Sequence, residues 1–165
     1  MGRRYALSGE NLSLGTGYVM AALQPAAAGA AGSWIEIERV EVTQNATATS
    51  AQARITLGFR TTATTLTVTS ATPAPLIGGG PASGIAGGTA PTTAATCGVN
   101  SSADSGGTYV NTWPCNPNNQ GGFLWIPIPE HKLIVPPGVI FVVRHIAAPG
   151  TTTGWTVVVI YHEVY

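Results

Sequence analysis

Three histidines, six glutamates, one aspartate and two cysteines are the side chains on which acid–base, metal or nucleophile chemistry could rest. His131, His145 and His162 fall on or beside the last three strand-like segments, so a sandwich could bring them near one another. A metal site of that kind would draw on two histidines close in sequence plus a carboxylate. The chain has neither H-x-H nor H-x-x-E, so solvated or hydrogen-bonding imidazoles are the simpler reading and no metal or other cofactor is expected. Glu36, Glu38 and Glu41 crowd one segment. Glu36 and Glu38 share a strand face, as a paired-carboxylate site requires. The competing reading is an exposed strand face, where alternating charge is usual. No G-x-S-x-G motif is present, and neither Cys97 nor Cys115 has a histidine beside it, which leaves no activated nucleophile. Gly15-Thr16-Gly17 and the Gly78–Gly80 run lack the following lysine and helix of a phosphate loop.

Cys97 and Cys115 both fall in the least regular part of the chain. A disulfide between them would close a loop worth roughly 3 kcal/mol in chain entropy. Two reduced thiols are the alternative, and the spacing does not choose between them.

The elements that must position these residues read as strands. Helical periodicity is almost absent. Segments rich in β-branched and aromatic residues recur between Gly, Pro, Asn and Ser. They are Arg3–Leu7, Tyr18–Leu23, Trp34–Thr43, Arg54–Arg60, Thr64–Thr69, Phe123–Pro127, Lys132–Val135, Val139–Ile146 and Gly154–Tyr165. The tract 25–32 reads as a small-residue linker. Within Trp34–Thr43, Ile35 and Ile37 are out of phase with Val40 and Val42, which predicts a β-bulge near Glu38-Arg39. Within Arg54–Arg60 the alternation predicts Ile55, Leu57 and Phe59 inward, and Arg54, Thr56, Gly58 and Arg60 outward. Val139–Val143 and Val157–Ile160 are apolar at consecutive positions, as in strands covered on both faces. From Ser70 to Gly122 the chain is rich in Gly, Pro, Ala, Thr and Asn. This predicts one long irregular insertion, with Thr108–Trp113 as its only strand. The whole, residues 1–165, is expected to be a single all-β domain: a jelly-roll-like antiparallel β-sandwich of about eight strands.

Seven Lys+Arg and seven Asp+Glu make up only 8% of the 165 residues, against roughly 25% in an ordinary soluble domain. Net charge is zero and the pI about 6.8. No basic stripe exists for a nucleic-acid groove, and no apolar run approaches the roughly 20 residues that cross a bilayer as a helix. Nucleic acid and membrane are therefore not expected partners. Between Thr61 and Pro129 the only charged residue is Asp104. A neutral Thr/Asn/Gly surface can hydrogen-bond across a contact without stranding a charge. The insertion and its flanks are thus the expected contact surface, and the charged strands are expected to face water. Trp113 and Tyr109, with Asn116 and Asn118 nearby, are the candidate interface or ligand-contact residues. Trp113 either anchors in a partner or sugar or pins the insertion to its own sandwich; the second is the preferred reading.

Three stretches carry a resemblance. They are RYALSGENLSLGTGYVMAALQPAAAGAAGSWIEIERVEV, ARITLGFRTTATTLTVTSATPAPL and FLWIPIPEHKLIVPPGVIFVVRHIAAPGTTTGWTVVVIYHEVY. Their ordering of strands, linker, V-P-P-G turn and terminal strand resembles small virion structural proteins of tailed bacteriophages. The type is a jelly-roll that decorates or cements the capsid. The resemblance implies a non-enzymatic homo-oligomer, expected to be a trimer. It would be made in the host cytoplasm and placed on the virion surface, with the major capsid protein or another virion protein as partner. It carries over no catalytic residue. Two alternatives stand beside it: a carbohydrate-binding module or adhesive fibre subunit using Trp113, and a filament subunit joined by strand exchange through the N-terminal segment.

Overall fold

The structure, a computed structural model, describes residues 3–13, 15–25, 34–45, 53–61, 66–76, 95–101, 104, 107–115, 122–147 and 153–164. Its strands are β1 (Arg3–Leu12), β2 (Val19–Gln24), β3 (Trp34–Gln44), β4 (Arg54–Arg60), β5 (Thr69–Ser70) and β6 (Ala74–Pro75). They continue with β7 (Thr96–Val99), β8 (Tyr109–Cys115), β9 (Phe123–Trp125), β10 (Leu133–Val135), β11 (Ile140–Ala147) and β12 (Trp155–Val164). A single 3-10 turn, Pro129–His131, separates β9 from β10.

Two antiparallel sheets face each other. The first runs β10-β3-β12-β1-β6, with β9 also paired to β3; the second runs β5-β7-β2-β11-β4-β8. The last strand, β12, lies between β1 and β3, and β11 lies between β2 and β4. Strands β1 to β4 alternate between the sheets, as do β10 to β12, and with β12 and β11 inserted in this way the connectivity is that of a jelly roll. The inner faces form one continuous core that includes Tyr5, Leu7, Ile35, Ile55, Leu57, Phe141, Trp155, Val157 and Tyr161. β12 is built for this by alternation: every second residue from Trp155 to Glu163 is buried, and the residues between them are only partly covered.

The β3 bulge is present. Ile160 pairs with Arg39 while Tyr161 pairs with Ile37, so Glu38 is the extra residue. The phase of the apolar residues changes across it, and Ile37 and Val40 both face the core. The Pro136-Pro137-Gly138 turn is also as the residues dictate. Pro137 fixes its own φ, Gly138 takes φ +81, and Val139 N–H donates to Pro136 C=O at 3.2 Å. This is the type II geometry that needs glycine at its third position.

The stretch 70–122 is less irregular than its composition predicts. It carries β6, β7 and β8 and the end of β5. Conversely, Thr64–Thr69 is not a full strand: of its described residues only Thr69 pairs, with Val99. Leu66 and Val68 instead pack with Val19, Ala22, Val142 and Tyr109 in a second, smaller apolar cluster on the outer face of the second sheet. That cover corrects the reading of β4. Thr56 and Arg60 were expected to face water, yet both are buried, as is Gly58. Polar alternation signals which face is the outer one, but not whether another segment of the chain lies over it. Of the predicted linker 25–32, all but Pro25 lies outside the described residues.

Candidate functional site

The residues that could have carried acid–base or metal chemistry are distributed as follows. Glu36 accepts from Lys132 at 3.0 Å, Glu38 from Arg4 at 3.0 Å and Glu41 from Arg39 at 2.7 Å. Each carboxylate on β3 is thus neutralised by its own cation on the outer face of the first sheet. His131 sits on the exposed 3-10 turn and His162 on β12, where it pairs with Glu36 and Arg4 in register. His145 is buried on β11, edge-to-face with Trp155 at 5.1 Å. The sandwich therefore does not gather the three imidazoles. Among the described residues no group of three His, Cys, Asp or Glu could hold a metal ion.

Cys97 and Cys115 are both free thiols. Cys97 lies on β7 and Cys115 on β8, with β2, β11 and β4 between them. Strands stand about 4.8 Å apart, so the separation far exceeds the Cα reach of a disulfide. The open question of pairing is answered against the bridge. Cys97 faces the core, 3.5 Å from the Tyr161 hydroxyl. Burial pushes its pKa up to about 11, and burial does the same at Cys115.

The insertion's return limb is clipped to the sandwich by buried polar contacts. Ala95 N–H donates to the buried Glu163 carboxylate at 3.0 Å, and Val19 N–H donates to Ser101 Oγ at 2.8 Å. Asp104 then meets Arg60 through Nε at 2.7 Å and Nη2 at 3.3 Å, and the Tyr109 hydroxyl donates to the same carboxylate. The Arg144 guanidinium lies over the Tyr109 ring, 3.9 Å from its centre. The Arg60 side chain is 0% exposed. Hydrogen bonding to Arg60 holds the Asp104 carboxyl below its usual range, against burial. Burial first and the Asp104 contact second push the Tyr109 hydroxyl up to about 12. Tyr109 was marked by sequence as a contact residue. Asp104, Arg60 and Arg144 were not, although the isolation of Asp104 in a neutral stretch was the available signal.

These clips make the two flanks of the sandwich unlike. On one flank β6 extends the first sheet beyond β1, while β7 and β5 extend the second beyond β2. On the other, β9 and β10 lie end to end along β3, and β8 ends the second sheet, with no further strand among the described residues. Trp113 of β8 rests edge-to-face on Trp125 of β9 at 5.9 Å, tying the two sheets together along this open flank. Outside that contact stand Val110, Trp113, Leu124, Ile126, Ile128 and Ile134, between 41% and 61% exposed. Leu124 and Ile134 lie in register with Glu41 and Glu36 on β3, and Val110 and Trp113 with Phe59 and Leu57 on β4; exposed apolar side chains along one edge make this flank a candidate interaction surface. Pro114 within β8, with Pro127 and Pro136 just past β9 and β10, blunts these edges against strand addition. The flank is therefore shaped for side-chain contact. Trp113 does both things the sequence allowed: it braces its own sandwich and remains part of the exposed patch. Asn116 and Asn118 lie outside the described residues.

Comparison with protein-family models, with curated proteins and with solved structures returns no match. The functional reading rests on the geometry and on the sequence.

Proposed function

We propose that this chain is a non-enzymatic structural subunit of a virion. In this reading it decorates or cements a tailed-phage capsid as a homo-oligomer, a trimer, with contacts both to its own copies and to the shell. The observation that carries the reading is the asymmetry of the sandwich: one flank is extended by further strands of the chain itself, while the other ends at β8, β9 and β10 with several exposed apolar side chains. The exposed apolar side chains of that flank are the candidate contact residues for such an interface. The low charge supports the same reading, since depletion of charge is what distinguishes interface cores from other surface. A subunit that bridges shell proteins stabilises the shell by mass action. No catalytic residue or cofactor is part of the proposal.

Quantitative mass spectrometry of purified particles tests it. The chain is expected at a copy number in simple ratio to the major shell protein; its absence from particles sinks the assignment. A second reading, a carbohydrate-binding module or adhesive appendage, draws on the 41% exposure of Trp113. A glycan array separates the two: saturable binding lost on Trp113→Ala favours the sugar, and an empty array favours the shell.

A further inference from the structure

The edge strand β8 is held in two halves. Its pairing with β4 slips between Leu57 and Gly58. Tyr109, Val110 and Asn111 lie opposite Arg60, Phe59 and Gly58, while Trp113, Pro114 and Cys115 lie opposite Leu57, Thr56 and Ile55. A slip of this kind interrupts the ladder and lets the strand bend there. Each half has its own fastening. In the second half Trp113 rests on Trp125 of β9, and the Cys115 thiol donates to the Ile55 carbonyl at 3.5 Å. The first half is fastened by charge: the Arg60 guanidinium and the Tyr109 hydroxyl converge on the Asp104 carboxylate. One residue further along, the Thr61 N–H and hydroxyl donate to the Thr108 carbonyl at 2.9 and 3.2 Å.

The groups around Asp104 make this fastening depend on a single charge. Arg60 of β4 and Tyr109 of β8 bond the carboxylate directly, and the charge of Arg144 reaches it from β11. Two of the three are cations, and the third is a neutral hydroxyl that donates. The Arg60 side chain is 0% exposed, and the Arg144 guanidinium lies over the Tyr109 ring. Neutralising Asp104 therefore withdraws its counter-charge from a buried guanidinium and leaves two cations beside a neutral group. Poorly solvated surroundings penalise that arrangement. The same step weakens the acceptor that fixes the Tyr109 hydroxyl. The contacts of Trp113 and Cys115 do not involve Asp104.

We propose that the Asp104 charge is a latch: it holds Tyr109–Asn111 on β4, and its neutralisation frees that half-strand while Trp113–Cys115 and the two-sheet core stay folded. The slip in register is the hinge. Because β8 ends the second sheet on the open flank, release bares the backbone of Gly58, Phe59 and Arg60 along the β4 edge. An unpaired edge is a template for another strand. The latch thus decides whether this end of the flank presents side chains alone or a strand edge as well. Acid is the trigger that the chemistry provides. Arg60 holds the Asp104 carboxyl below its ordinary range, so the latch is complete above about 3.9 and opens as pH falls through the lower, folded value. Tyr109 is pushed up to about 12, so it keeps its proton to donate at neutral pH.

Amide hydrogen exchange on the full chain, read by NMR, tests it. At pH 7, Asp104→Asn is expected to speed exchange roughly tenfold or more at Thr61 and at the protected amides of Tyr109–Asn111. Trp113, Cys115 and the β12 amides should stay within about twofold of wild type. Taken from pH 7 to pH 3 and corrected for the intrinsic rate, wild type should show the same local opening. Asp104→Asn should gain none beyond what it has at pH 7. If Asp104→Asn does not fold by circular dichroism, the wild-type titration decides: opening confined to the half-strand supports the latch, and opening only together with β12 overturns it. Unchanged protection of the half-strand in a folded Asp104→Asn, or exchange that rises evenly along β8 and β12, overturns it too. An acid opening of equal size in both proteins assigns the effect to another carboxylate and does the same.

Discussion

At the scale of single residues, the polar chemistry of this chain is concentrated where its folding is least obvious. Asp104 is the only charge in a neutral stretch of nearly seventy residues, and it is spent on Arg60. Asp104→Asn is expected to lower stability at neutral pH by roughly 1.5–3 kcal/mol, the range for hydrogen bonds to charged groups. Urea melts at pH 7 read this directly, and coincident midpoints would remove Asp104 as a structural clip. The sign with pH follows from the shifts. The Asp104 pKa is depressed in the folded chain, so its contribution is complete above the ordinary value of about 3.9 and fades as pH falls through the lower, folded value. Tyr109 is raised to about 12, so its contribution holds below the ordinary value of about 10 and is lost as pH climbs toward 12. In Asp104→Asn the acid-side loss should shrink relative to wild type. The thiols carry a second expectation. With pKa values near 11, only roughly a thousandth of either is thiolate at pH 8. Iodoacetamide should therefore modify both within minutes in guanidinium and neither in native buffer; rapid native labelling of Cys97 would contradict its place in the core. Arg60 and Cys97 share a lesson in legibility. Each is polar or reactive by type, and its burial depends on a segment far away in sequence, which no local pattern records.

Elements were more legible than residues because most are long alternating runs. The segments read as strands around residues 18–23, 34–43, 54–60, 139–146 and 154–165 all appear, within a residue or two at most boundaries, and the bulge at Glu38 was visible as a change of phase. What escaped were the two-residue β6 and, more tellingly, β7. Thr96–Val99 is short, contains Gly98 and lies in a stretch whose composition favours turns, so its propensity argues against it. Gly98 is there for a packing reason. A Cβ at that position would overlap the Val68 side chain and press on the Thr69 carbonyl. The strand can be crossed at close range only because it has no side chain there. Gly98→Ala is expected to cost about 1–3 kcal/mol by overpacking. Hydrogen exchange should then rise first at Thr69 and Ser70, the strand paired to β7. Uniform exchange across β7 and β5, with unchanged stability, would mean the crossing is loose enough to absorb a methyl.

The molecule as a whole is organised by which surfaces the chain can cover for itself. Charge pairs occupy the outer face of the first sheet, the insertion closes one flank and part of the outer face of the second sheet, and the remaining flank carries exposed apolar side chains beside the polar turn at Glu130, His131 and Lys132. The sequence carried this only as a shortage of charge. It pointed to the whole neutral stretch 61–129 as the contact surface, whereas its described residues divide between a cover for the second sheet and the open flank. The division was not legible because both uses need the same composition: neutral, β-prone and small enough to pack. Ile126 decides whether the open flank acts in assembly. It is 61% exposed, so Ile126→Glu removes little from the core and should change the stability of the isolated fold by no more than about 0.5 kcal/mol. In an interface the same change places a carboxylate, with no cation of its own, on an apolar contact. Burying it there costs several kcal/mol, enough to dissociate the assembly at micromolar concentration. The expected result is a folded monomer with an unaltered circular dichroism spectrum and melting at nearly the wild-type temperature extrapolated to low concentration. A variant that keeps the oligomeric state of the wild type would mean that the open flank faces solvent and that the contact surface lies elsewhere on the sandwich.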